Sequence, residues 1–283
     1  NCHRRCEISV TDSFHYLMMS GSGRISMKKI YVCNDTITGI FSAIYDAWKE
    51  GREEKECGIA IKGMLEQELF CEYILGEENL HKEQAVERLI RKHLGGQAYA
   101  DIWHASLASD KDKADAIYGT MLAARRLRDS KKVMEHLSHP QVERVFELSR
   151  KVGSEAHNYK GFLRFRELSG GILYGGIAPK NRILTCIAPH FSNRLPQENW
   201  LIHDKTHHMY AVHEAGKEWV LVENERIQEE RLGHISENEQ MYASLWTAFC
   251  RTISIESREN PRSQMQHLPL RYRPEMTEMA GEV

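Results

Sequence analysis

Two stretches of this chain concentrate cations in patterns suited to phosphate. Between Lys160 and Lys205 the seven cations Lys160, Arg164, Arg166, Lys180, Arg182, Arg194 and Lys205 stand against three carboxylates, Glu167, Glu198 and Asp204. Arg164 and Arg166 alternate with Phe162, Leu163, Phe165 and Leu168. Read as one strand, Phe162–Leu168 places both arginines on one face with Phe162 and Leu168, because side chains alternate with a period of two. Guanidinium forks beside an aromatic ring suit phosphate and base contacts; a solvated charged face gives the same pattern. The tail repeats the theme with Arg258, Arg262, His267, Arg271 and Arg273 around Asn260, Pro261 and Tyr272. Bidentate arginines on a proline-extended segment fit an arm lying along a phosphate-bearing partner. They fit equally a strap packed back on the domain.

Histidine is the other candidate chemistry. His190, His203, His207, His208 and His213 crowd around Asp204. His203-Asp204 and His207-His208 would be neighbours on strands, so their side chains point to opposite faces and cannot chelate together. The expectation is turn and strand-surface histidines, with no metal and no cofactor. Phosphate loops are excluded more simply. There is no G-x-x-x-x-G-K-[ST], and Gly170-Gly171 with Gly175-Gly176 lacks the strand-then-helix setting of a dinucleotide site. No G-x-S-x-G elbow occurs.

These groups need a scaffold, and 283 residues are enough for one large domain or two ordinary ones. Apolar residues make up 41% and charged residues 28%, the balance of a soluble globular chain. No apolar run is long enough to span a bilayer. Thirty-eight Lys and Arg against 40 Asp and Glu exclude a bulk polycation, so phosphate binding must come from a local patch. Seven scattered cysteines without a C-x-x-C pair argue for reduced thiols and a cytoplasmic setting. Residues 1–26 lack a signal-peptide core and end in Ser20-Gly21-Ser22-Gly23, so they read as a non-native or disordered extension before Met27.

From Met27 the pattern predicts a strand at Lys29–Cys33, then a helix through Ile37, Ile40, Phe41, Ile44, Tyr45 and Trp48 with Asp35 or Thr36 as N-cap. A weak strand follows at Gln67–Ile74. Helices come next around Val86–Leu94, stopped by Gly95-Gly96, and around Ile102–Leu107. Two more start at the capping signals Ser109-x-x-Asp112 and Ser138-His139-Pro140-Gln141. The basic run Arg125–Lys132 closes the third helix, as a macrodipole complement or a phosphate-contacting patch. Beyond Tyr159, strands at Phe162–Leu168 and Ile172–Ile177 flank the turn Ser169-Gly170-Gly171. A helix at Asn181–Arg194 carries Pro189. Strands follow at Trp200–His203, His208–His213 and Glu218–Glu223, and Ser236-x-x-Glu239 opens a helix with Met241, Tyr242, Leu245, Trp246, Phe249, Cys250 and Ile253 on its apolar face. The expected class is α+β: a helix-rich half over 27–158, an antiparallel sheet with helices over 159–277, and a tail at 278–283.

Four motifs resemble a known family: MKKIYVCNDTITGIFSAIYDAWKEG from Met27, GFLRFREL from Gly161, IAPHFSNRLPQENWLIHD from Ile187, and LWTAFCRTISIESRENPRSQMQHLPLRY from Leu245. They resemble the bacterial "probable DNA metabolism protein" family, whose core is a domain of unknown function. The resemblance runs from Met27 to Thr277. It implies a partner, a radical SAM protein assigned to DNA modification or repair; in some relatives the domain precedes a uracil-DNA glycosylase-like domain. The chain has no C-x-x-x-C-x-x-C cluster motif, so the partner's chemistry does not transfer to it. The family pattern falls on Gly161, Phe162, Arg164, Phe165, His190, Phe191, Arg194, Trp200, Asp204, Arg258, Asn260, Pro261, Pro269, Arg271 and Tyr272.

Helical spacing puts His190 and Arg194 on one face. If Asp204 reaches them, the three form either an ion pair fixing helix to sheet or an anion site, with Arg194 holding phosphate, Asp204 orienting it and His190 donating a proton. The expected function is a DNA-metabolism accessory protein that binds DNA or a nucleotide through Lys160, Arg164, Arg166, Arg194, Arg258, Asn260, Arg271 and Tyr272, gathered on one concave wall. The alternatives are a hydrolase or glycosylase-like enzyme using His190, Arg194 and Asp204, and a structural partner without nucleic-acid contact.

Overall fold

The computed structural model describes residues 27–50, 56–66, 68–223, 234–255, 257 and 260–279. The N-terminal extension, with Cys2 and Cys6, and Arg258 lie outside them.

Strand β1 (Lys28–Cys33) leads into helix α1 (Ile37–Glu50), which buries Ile40, Phe41, Ile44 and Ala47. Of the two cap candidates, Thr36 is the one used: its Oγ1 accepts the Gly39 N–H at 2.9 Å. Helix α1 crosses to β2 (Cys57–Ile61), which runs parallel to β1 in register Lys29↔Cys57 through Cys33↔Ile61. Strand β3 (Cys71–Leu75) lies parallel on the other side of β1, giving the order β2-β1-β3. The helix-rich half therefore contains a parallel sheet. β2 escapes a sequence reading because its five residues are too short to show a period and carry no turn signal.

Helices α2 (Leu80–His93), α3 (Gly96–Ser106), α4 (Lys113–Arg126) and α5 (Pro140–Phe162) follow, with a 3-10 turn at Ser130–Glu135. Gly95 separates α2 from α3 at φ +91°, a conformation that favours glycine. Neither predicted capping box forms. Asp112 and His139 are themselves the N-caps, and neither makes a side-chain cap bond. The Ser109 N–H is taken instead by Asn181 Oδ1 at 2.9 Å.

The largest departure from the sequence reading lies at the end of α5. Phe162 is still helical, Leu163 caps the helix, and β4 covers only Arg166–Leu168. Tyr159 and Phe162 both pack on Tyr272, with ring centroids at 4.8 and 5.2 Å. That contact holds a segment of aromatic, strand-favouring composition in helical spacing. Arg164 and Arg166 therefore do not share a strand face with Phe162.

The second sheet has the order β4-β5-β6-β7-β8. Strand β5 (Ile172–Ile177) pairs antiparallel with β4 across Gly170 and Gly171, both at positive φ, as the turn signal predicts. Helix α6 (Leu184–Arg194), with Pro189 inside it, then crosses over, so β6 (Trp200–Asp204) runs parallel to β5. The sheet is mixed, not purely antiparallel, because a helix rather than a tight turn joins its two middle strands. Strands β7 (Met209–His213) and β8 (Val220–Glu223) complete it antiparallel.

Helix α7 (Glu237–Ile253) begins where predicted, Ser236 Oγ accepting the Glu239 N–H at 3.0 Å, yet none of its residues is buried. Helix α8 (Pro261–His267) and 3-10 turns at Leu270–Glu275 and Thr277–Met279 end the described chain. One apolar core runs from Tyr31 in β1 to Tyr272 near the end, and a smaller cluster of Leu168, Tyr174, Leu201 and Tyr210 lies apart from it. The class is α+β. No described helix is long and apolar enough to cross a membrane.

Candidate anion-binding site

Helix α6 spaces Cys186, His190 and Arg194 by four residues, so they follow one another along one face. Its opposite side, Leu184, Ile187, Ala188 and Phe191, is buried. Phe165 meets Phe191 edge-on at 5.2 Å. Helix α5 brings Lys160 to the same place from its last turn. The electrostatics record this meeting. The His190 imidazole is held below its ordinary pKa by burial first, then by the positive charges of Lys160 and Arg194. Lys160 also opposes protonation of His104 on α3, whose pKa is lowered mainly by burial. It partly offsets the burial that pushes the Cys186 thiol up to about 11.

Lys160, His190 and Arg194 thus form a small electropositive group with a neutral imidazole at its centre. His190 Nε2 is enclosed without a hydrogen-bond partner. Among the described residues neither Lys160 nor Arg194 has an ion-pair partner, and Arg194 is exposed. Two unpaired cations beside an imidazole whose protonation a nearby negative charge would favour are a candidate anion site.

Asp204 is not part of it. Its buried carboxylate closes the turn after β6: Oδ1 accepts the N–H groups of Thr206 and His207, both at 3.0 Å, and Oδ2 pairs with His207 Nδ1 at 2.7 Å. A carboxylate committed to three donors within its own turn does not orient His190. The His190–Arg194–Asp204 cluster does not form.

The other arginines are spread over separate neighbours rather than one wall. Arg164 pairs with Glu278 at 2.7 Å and donates to the Gly161 carbonyl at 2.9 Å. Glu278, half-buried yet kept below the usual carboxylate range by Arg164 and by the Trp246 N–H at 3.2 Å, belongs to that pair. Arg166 lies over the Tyr174 ring, 4.9 Å from its centroid. Arg271 pairs with Glu155 at 3.2 Å. Tyr272 is buried, and its hydroxyl accepts from Asn158 Nδ2 at 3.2 Å. Asn260 caps α8, accepting the Ser263 N–H at 3.0 Å. Of the two readings of the tail, the strap is the one the structure shows for these residues.

Of the other histidines near Asp204, His203 and His213 are buried rather than on a strand surface. His203 meets the Tyr174 hydroxyl at 3.1 Å and stacks on Tyr210, while His213 meets the Glu198 carbonyl at 2.9 Å and stacks on Trp200. No group of three or more His, Cys, Asp or Glu that could hold a metal occurs among the described residues.

Two charged residues matter that the motifs did not single out. Buried Glu155 accepts the backbone N–H groups of Lys180 and Asn181, at 3.0 and 2.9 Å, and the Asn181 amide at 2.7 Å, besides pairing with Arg271. It thereby ties α5, the segment before α6 and the C-terminal strap together. Its signal is a carboxylate on the apolar stripe of Val152, Ala156 and Tyr159. Lys113 is the other, buried against Asp35 at 2.6 Å and the Ala108 carbonyl at 2.6 Å. Burial lowers its pKa against the opposing pull of Asp35.

A model of a domain of unknown function, DUF4130, matches residues 111–278, more than half of the chain. The match takes in Lys160, His190 and Arg194 as well as Glu155 and the strap that it holds. No curated protein matches the chain. With more than half of its length matched, the chain belongs to the DUF4130 family, a domain of unknown function.

Proposed function

We propose that this protein binds DNA or a nucleotide-bearing substrate through Lys160, His190 and Arg194, and serves as an accessory to a radical SAM enzyme of DNA modification or repair. One observation carries the binding part: these two cations lack the carboxylate partners that Arg164, Arg271 and Lys205 have. Positive charge left unpaired beside a half-buried imidazole is retained at a cost in self-repulsion, which an arriving phosphate relieves. The partner rests on the family likeness of the four sequence motifs. A reducing cytoplasmic setting is supported by the five described cysteines, none of which is disulfide-bonded.

The test is a fluorescence-anisotropy titration of labelled single-stranded and duplex oligonucleotides with wild type and with the Lys160→Gln/Arg194→Gln double variant. The expected outcome is micromolar or tighter binding by wild type at low salt and a loss of about tenfold or more in the variant. Equal affinity in both proteins, or no binding by wild type at low salt, contradicts the proposal. Co-purification with a radical SAM enzyme tests the partner separately.

A further inference from the structure

Helix α7 is amphipathic in sequence, and among the described residues none buries its apolar face. Met241, Tyr242, Leu245, Trp246, Phe249 and Ile253 are each between 43% and 61% exposed. The helix is held by polar contacts: Ser236 Oγ donates to Glu167 at 3.2 Å, Glu239 accepts the Glu167 N–H at 3.1 Å, and the Trp246 N–H reaches Glu278. Those contacts fix its orientation and leave the six apolar side chains outward. Arg251, its one basic residue, falls on the far side of the helix at 100° per residue.

We infer that this face is a self-association surface, occupied by α7 of a second copy of the chain in a two-fold dimer. Three features favour a copy of the same chain. The first is area: six large side chains with about half their surface free leave on the order of 100 Å² each, so roughly 600 Å² per copy. That is at the upper end of what a monomer ordinarily exposes in one patch. Paired with itself it removes roughly 1,200 Å², the lower bound of a stable interface. The second is spacing. Met241, Leu245, Phe249 and Ile253 form one row at intervals of four. An antiparallel pair with its two-fold axis at the level of Thr247 along the helix, on the side of that row, sets Leu245 against Phe249 and Met241 against Ile253, twice each, as an isologous contact requires. The third is composition: aromatic residues and methionine without charge are the make-up of an interface centre, and antiparallel helices oppose their macrodipoles favourably. The surface does not depend on the anion site.

Sedimentation velocity on the full chain from about 1 to 100 μM tests it. The expected result is a weight-average mass rising from the monomer's 32.8 kDa toward twice that value. Leu245→Glu and Phe249→Glu, singly, should weaken the dimer at least tenfold, and together leave a monomer with unchanged circular dichroism. Since both side chains are exposed, the substitutions do not empty a core. A wild type that stays monomeric at 100 μM overturns the inference, and so does a dimer that survives the double substitution.

Discussion

Two sets of cations, Arg164 with Arg271 and Lys160 with Arg194, do opposite things. Arg164 and Arg271 run into carboxylates, Glu278 and Glu155, and fasten the C-terminal strap to α5. Lys160 and Arg194, reached from the same helix and the next, meet the half-buried His190 and pair with no carboxylate among the described residues. The sequence treats all four alike, as basic residues suited to phosphate. Burial of the carboxylate partner separates them: Glu155 is 3% exposed and accepts four donors, so Arg271 completes a closed network. No such acceptor faces Lys160 or Arg194 among the described residues. The first pair is structure, and the second pair is available to a ligand.

Breaking the structural set should cost most. Glu155→Ala removes the acceptor of two backbone N–H groups and leaves Arg271 without its partner, a loss of about 3–5 kcal/mol in chemical denaturation. Tyr272→Ala empties the space against Tyr159 and Phe162 and should cost about 3–4 kcal/mol. Arg164→Gln breaks a pair that is partly open to water, and the loss should be about 1 kcal/mol. Substituting the binding set should do the reverse: Lys160→Gln/Arg194→Gln changes stability by less than about 0.5 kcal/mol, since neither cation holds a partner. A large loss there would erase the contrast.

The smallest effect is one of pH. His190 has a lowered pKa in the folded chain, so below the ordinary value of 6.5 the unfolded chain binds the proton more readily and stability falls. His190→Asn should flatten that part of the profile. A bound phosphate raises the imidazole pKa again, so oligonucleotide affinity should rise as pH falls from 7.5 through that window. An affinity independent of pH between 7.5 and 5.5 would remove His190 from the site.

Much of the scaffold was legible from periodicity and turn chemistry. The β4–β5 turn, the α1 face, the Ser236 cap and the break at Gly95 follow from local signals. What failed depended on partners distant in sequence. The Phe162 segment reads as a strand until Tyr272, 110 positions later, packs on it in helical spacing. The parallel pairing of β5 with β6 depends on a crossover that alternation along either strand does not reveal. Asp204 looked available because its acceptors' commitment to Thr206 and His207 is a matter of turn geometry. Helices α4 and α7 make the same point: both have apolar faces, but α4 is buried almost throughout and α7 not at all. Periodicity specifies a face and is silent on its cover.

The central claim is that Lys160 and Arg194 meet phosphate while Arg164 and Arg271 do not. It is tested most directly by the slope of log affinity against log salt for one oligonucleotide. The account predicts that Lys160→Gln/Arg194→Gln lowers that slope by about two, and that Arg164→Gln leaves it unchanged. The opposite pattern, a slope lost with Arg164 and kept without Lys160 and Arg194, would contradict it.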